Sequence, residues 1–317
     1  MRYIGQKVVQ LAAVLVLVTF LTFLLLNLLP GGPETAALGI GADEETQAEF
    51  RAEQNLDDPL LVRYANWLGG IFEGDFGDSL IRNVPVTDLL GQRLTPTLQL
   101  IFYSTLLALL ISVPMGVLTA YKADSWFDKS ANTFAFGLLS VPSFILGVLL
   151  VFLFSIRLGW LPATGYVPFG EDPVEHFRRM ILPTIALAAG QIAVYMRLLR
   201  TDMISTLQED FIGVARAKGM PTRRVLVSHA LRPSSFSLLT VVAINMGQLI
   251  GGTIVIERIF AIAGLGGLLV ESIFTRDYLV VQGCIVIVAV GFVLVNFIVD
   301  VLYAVLDPRI RHARAIS

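Results

Sequence analysis

The chain has 317 residues, 55% hydrophobic and 15% charged, with a mean hydropathy of +0.74 and a formal net charge of −2. Soluble domains carry about 25% charged residues, so a soluble enzyme is nearly excluded, and disorder and a fibrous repeat are excluded outright. One cysteine, Cys284, in the apolar run Val281–Val290, reads as a small buried hydrophobe. It rules out a disulfide framework, and His176, His229 and His312 have no metal-ligand spacing.

A bilayer core takes about 20 apolar residues as helix. In chain order the spans are Val8–Leu29, Leu98–Ala120, Ala131–Ile156, Met180–Met196, Ser234–Ile256 and Tyr278–Val299, the last helix running on to Leu306. The first is too long for a signal-peptide core and lacks a small-residue cleavage site, so it reads as a retained anchor. The expected fold is an all-α membrane protein of six transmembrane helices. Its parts are a cytoplasmic N-terminus with the first helix (1–29), a partly ordered extracytoplasmic loop region (30–97) and a transmembrane core (98–317) with a cytoplasmic loop at 197–233.

Charge segregation orients the spans. Arg2 and Lys7 precede the first without an acid, whereas residues 30–97 hold twelve acids and four bases. The 197–233 loop has seven bases against Asp202, Glu209 and Asp210, and the tail carries Arg309, Arg311 and Arg314. The positive-inside rule then puts both termini in the cytoplasm. The segment Ile259–Val270, with Gly264, Gly266 and Gly267, is apolar and too short to span; it reads as a re-entrant or interfacial piece.

No lysine (Lys7, Lys122, Lys129, Lys218) completes a phosphate-binding loop, and HExxH, CxxC and GxSxG are absent. No catalytic or metal site is expected. The span centres carry no charge, and Asp300 lies toward the inner end of the last span. A proton- or ion-driven carrier needs such groups, so energy for active transport is expected from another subunit.

Glu209–Gly219 reads as a short cytoplasmic helix, acids first and bases last as the helix dipole favours. Gly213, Ala215 and Ala217 leave room for another surface. Gly219 suits a left-handed stop, Pro221 the first position of a second helix, and Pro233 its end. A solvated basic loop beside anionic lipid accounts equally for the composition. On the fifth span Asn245 and Gln248 share a face at i, i+3. They line a pathway or simply bond between helices.

Gly213-Val-Ala-Arg-Ala-Lys-Gly219 resembles the EAAxxxG loop of ABC importer permeases, in its dipeptide/oligopeptide form. Leu29-Pro-Gly-Gly-Pro33, Trp67-Leu-Gly-Gly70, Gly74-Asp-Phe-Gly-Asp-Ser79, Thr253-Ile-Val-Ile-Glu257, Val281-Gln-Gly283 and Leu306-Asp-Pro-Arg309 follow the same pattern in order. Three positions depart from it: Gly213 replaces a glutamate, Pro233 stands one place late, and Ala263 stands where proline is usual before Gly-Leu-Gly. The resemblance implies the B-type transmembrane subunit of a type I importer in the plasma (inner) membrane. It implies a second, C-type permease, two ABC ATPases holding ATP and Mg, an extracytoplasmic solute-binding protein, and di- or oligopeptide cargo. Phe211, Gly213, Ala215, Arg216, Lys218 and Gly219 are then the ATPase-coupling residues, and Asn245 and Gln248 the candidate pathway. An ion-coupled secondary transporter and a non-transporting membrane scaffold are the alternatives.

Overall fold

A computed structural model describes residues 2–28, 32–39 and 41–306. The Pro30-Gly31 break and the arginine-rich tail lie outside these residues, as does the side chain of Asp300. The helices are α1 (Arg2–Asn27), α2 (Pro33–Leu38), α3 (Glu44–Glu53), α4 (Leu60–Glu73), α5 (Val86–Tyr121), α6 (Trp126–Ser140), α7 (Ser143–Leu150), α8 (Pro173–Leu207), α9 (Asp210–Ala217), α10 (Thr222–Arg224), α11 (Leu231–Ile259), α12 (Leu265–Thr275) and α13 (Tyr278–Leu306). π-Helical turns occupy Val151–Arg157 and Val225–Ala230.

Among the described residues, five helices are long and apolar enough to cross a membrane. A sixth span is broken: α6 and the α7 rod, carried on to Arg157, meet at 96°. The span expected over Ala131–Ile156 is therefore bent. The cause is Pro142, which bars the helical conformation at Val141 (φ −100°, ψ 117°). The span around Met180–Met196 belongs to a helix of 35 residues, about 52 Å long against a core of about 30 Å. Its charged ends project beyond the apolar part, so apolar length alone understated it.

The chain forms two compact units. The first comprises residues 1–97 and 263–293. Val86 and Leu90 of α5 pack there with Leu265, Leu268, Val280 and Cys284. Cys284 is fully buried, the place expected of it. A β-carbon on Gly283 would lie 2.9 Å from Val86 Cγ1, so α13 sits on the base of α5 at glycine distance. Leu265 N–H, at the start of α12, donates to Thr97 Oγ1 (2.8 Å), and Arg82 pairs with Glu271 (2.8 Å). Ser79 donates its hydroxyl to buried Asp277. The short α12 does not span. Helix α4 lies along α1: Tyr64 sits 2.9 Å from the Thr19 hydroxyl and donates to Val16 O (3.2 Å), in the middle of the apolar window.

The second unit comprises the described residues of 98–262 and 294–306, built around α8. Tyr195, Leu199 and Met203 of α8 pack against Leu238 and Val242 of α11. Higher on α8, Met180, Leu182 and Leu187 meet Ile256 and Phe260. Asp128, 2% exposed, accepts two bonds from Arg200 at 2.6 Å each, locking the start of α6 to α8. His176 is fully buried, its Nδ1 2.7 Å from Val167 O. A carbonyl only accepts, so Nδ1 holds the proton and Nε2 receives the Tyr103 hydroxyl (3.1 Å). At the end of α11, Ala261 takes the left-handed conformation (φ 48°) and Ile262 N–H reaches back to Glu257 O (2.8 Å). That closes the turn without the proline usual at position 263.

Candidate functional site

The site begins where α8 runs out. Glu209, extended at φ −70° and ψ 147°, opens α9, and Asp210 and Arg216 sit at the ends the dipole prefers. The helix closes on two bonds: Gly219 N–H to Arg216 O (2.9 Å) and Met220 N–H to Ala215 O (3.3 Å). This is the Schellman pattern. It needs a left-handed residue, and Gly219 supplies φ 74°. Met220 then turns inward onto the core.

Eight residues make a marginal helix in water, so tertiary contacts must hold α9 in place. Ile212 (0% exposed) and Ala215 (5%), three residues apart, enter the same core as Leu199, Met203, Val225 and Ala230. Burying an isoleucine contributes about 1.5–3 kcal/mol, enough to pin so short an element. The opposite face is bare. Phe211 is 47% exposed and Val214 53%, also three residues apart. Gly213, Arg216, Ala217, Lys218 and Gly219 are exposed, with Arg223 and Arg224 just beyond. Nothing lies within 4 Å of a β-carbon built on Gly213 or Gly219.

The return to α11 is stiffened. Pro221 precedes α10 instead of entering it as the first residue: its carbonyl receives Arg224 N–H (2.9 Å). The π-turn Val225–Ala230 follows, its last bond running from Leu231 N–H to Leu226 O. Pro233, expected to end this helix, is instead the third residue of α11. The helix continues through it without a break from Thr222, and Pro233 follows directly on the π-turn. Ser234 Oγ donates to Thr206 Oγ1 (2.9 Å), tying α11 to the end of α8. Beside α9 an open groove of about 500 Å³ is lined by Tyr121, Leu207, Gln208, Arg216 and Thr222 among others.

Of the six residues singled out in this loop, five are on the outer side. Ala215 faces inward and serves as an anchor, not as a surface. Val214 escaped attention beside the small residues, although its spacing from Phe211 marks it; Ile212 is the second anchor, and the i, i+3 pattern signals both. On α11, Asn245 is half-buried and hydrogen-bonds Tyr195 of α8, which donates to Gln191 Oε1 (3.1 Å). Gln248, on the same helix, is exposed. The structure therefore separates the pair: Asn245 bonds between helices, and Gln248 does not face the core.

A family model described as the binding-protein-dependent transport system inner membrane component matches residues 112–312, and its N-terminal companion matches 1–101. A chain of Brucella abortus (strain 2308) named as a peptide transport system permease protein is 42% identical over 307 residues, covering 97% of this chain and 98% of the relative. An oligopeptide transport system permease protein of Bacillus subtilis is 37% identical, covering 98% and 99%. A glutathione transport system permease protein of Salmonella choleraesuis is 36% identical over the same shares. Among solved structures, the inward-facing MetNI methionine ABC transporter aligns at TM-score 0.57 and 17% identity, over 69% of this chain and 96% of that one. That likeness shows a shared fold. The family match, the five or six candidate spans and the bare helix after α8 agree: this chain belongs to the inner membrane components of binding-protein-dependent transport systems, as a permease subunit of an ABC importer.

Proposed function

We propose that this permease forms, with a second C-type permease, the passage for di- or oligopeptides delivered by an extracytoplasmic binding protein. Two ABC ATPases hold ATP and Mg and drive it from the cytoplasm, and both termini lie on that side of the plasma (inner) membrane. Relatives named for peptide, oligopeptide and glutathione transport support the cargo class. The charge segregation of the sequence supports the orientation.

The observation that carries the coupling reading is the two-faced α9. One face is sunk in the α8–α11 core, and the other offers Phe211 and Val214 within a basic rim. A helix pinned this way transmits displacement to α8 and α11 as a rigid lever. Closure of the ATPase pair against Phe211, Val214 and Lys218 shifts the bundle between its two access states. Gln248 is the pathway candidate on α11; Asn245 positions the helix through Tyr195.

The test contrasts the faces. Phe211→Ala is expected to leave folding unchanged and reduce peptide-stimulated ATP hydrolysis and uptake in the reconstituted complex. Ile212→Ala is expected to lower stability by about 2–4 kcal/mol, as for a buried large-to-small change. Full uptake by Phe211→Ala, or uptake abolished by a proton uncoupler while ATP is maintained, would overturn the reading.

A further inference from the structure

Helix α4 is apolar over most of its circumference, and only part of that surface is covered. On the covered side Tyr64 stands edge-on to Phe20 and Phe23 of α1 (ring centres 5.2 and 5.6 Å away), and Trp67 packs on Phe23 (5.8 Å). The adjoining strip is bare. Leu61, Ala65, Leu68 and Phe72 recur there at i, i+4, i+7 and i+11. Leu68 is half-buried, but Leu61 is 66% exposed and Phe72 85%. The polar strip is narrow: Arg63 and Asn66 line an open cavity beside Asn27 of α1. No charged residue stands between Arg63 and Glu73, which ends the helix.

Depth decides what covers the bare strip. The Tyr64 hydroxyl lies 2.9 Å from that of Thr19 and donates to Val16 O (3.2 Å). The apolar window of α1 runs from Val9 to Asn27, so Thr19 stands about 12 Å inside its nearer end at 1.5 Å per residue. The other end is farther, so the depth holds for either orientation of the span. Around Thr19 α1 is itself bare: Leu17, Leu21 and Leu25 are exposed at i, i+4 and i+8. A helix held at this level of a span lies in hydrocarbon. There backbone and hydroxyl groups need partners inside the protein. The Tyr64 hydroxyl has them, and the end of α4 is closed by Asp75 N–H to Gly70 O (2.8 Å) and Gly74 N–H to Ile71 O (3.0 Å). Arg63, on the cavity side, keeps its guanidinium 5.8 Å from the Phe23 ring centre and donates to Leu56 O (3.3 Å). A long basic side chain at a membrane boundary is disposed in this way. We propose that α4 is membrane-embedded, its Leu61, Ala65 and Phe72 face lying against lipid acyl chains, within the stretch expected to be an extracytoplasmic loop. The proposal rests on α1 spanning the bilayer and not on the cargo of the importer or on ATPase coupling.

The test uses the assembled importer in lipid nanodiscs, with partner subunits free of reactive cysteine; Cys284 is fully buried and adds no background. Leu61→Cys and Phe72→Cys carry bimane, and Asp57→Cys, at a side chain 66% exposed, is the solvent standard. Bimane at Leu61 and Phe72 is expected to lose its fluorescence to acyl-chain doxyl lipids and keep it in iodide, with the reverse at Asp57. Before labelling, a cationic methanethiosulfonate is expected to react about 100-fold more slowly at Leu61 and Phe72 than at Asp57, the exclusion that hydrocarbon imposes on one charge. Should a variant fail to assemble, a lipid bearing an acyl-chain diazirine is expected to crosslink to the Leu60–Glu73 stretch of the unaltered chain. Iodide quenching or thiol reaction at the Asp57 rate would put the face in water and overturn the proposal. Protection from both quenchers, or no lipid crosslink to that stretch, would put a protein partner there and overturn it equally.

Discussion

The left-handed Gly219 is where the proposed coupling site is most open to perturbation. An L-residue in that conformation costs about 1–2 kcal/mol, asparagine pays less because it tolerates the region, and a β-branched residue pays most. No atom lies within 4 Å of the added β-carbon, so the cost is entirely backbone and no clash confuses it. The two bonds that depend on this conformation, to Arg216 O and Ala215 O, close α9. The core anchors Ile212 and Ala215 lie upstream, so the strain falls on the last turn and not on the spans. A cost of 1–2 kcal/mol corresponds to about 5–30-fold more frequent local opening. The series Gly219→Asn, →Ala, →Val should therefore raise amide exchange at Ala217–Met220 in that order. Membrane insertion and exchange in α8 should stay constant, while uptake per ATP hydrolysed falls in the same order. Equal exchange in the asparagine and valine variants, or rank-independent uptake, would refute the conformational argument.

Two further predictions concern polar anchors. Asp128→Asn leaves Arg200 facing a neutral partner; because Arg200 remains 22% exposed, the loss should be about 2 kcal/mol, below the 3–5 for a fully buried pair, read as a lowered unfolding temperature. Asp43 caps α3 through Thr46 (N–H to Oδ1, 2.8 Å), and the Thr46 hydroxyl and N–H hold its carboxyl below the usual carboxylate range. A carboxyl with a depressed folded-state pKa stabilises above its unfolded value and loses that contribution as pH falls through the folded one. Helix α3 should stay capped through mildly acidic pH and fray only on stronger acidification; Asp43→Ala should show high exchange at Thr46 at every pH.

The loop helix was readable because each of its signals is local: acids before bases, small residues, glycine at the stop. The same locality hid which way it faces. Ala215 and Gly213 look alike as small residues, yet one is buried and the other bare, since the core approaches α9 from one side only. Pro233 and Pro142 show a parallel limit. Both are helix breakers in isolation, but a preceding π-turn absorbs the first, whereas the second bends its span by 96°. Proline's effect depends on its phase in the helix, which neighbouring packing sets.

Composition and apolar run length determined by themselves that this chain spans a membrane, about how often, and where the short helix between α8 and α11 lies, because bilayer thickness and helix geometry act on sequence directly. Tertiary structure alone decided what depends on a partner distant in the chain. It joined Asp128 to Arg200, gave Asn245 to Tyr195 and laid Tyr64 along α1. Those pairings form across separations of up to 72 residues, for which no local pattern in the chain carries a signal.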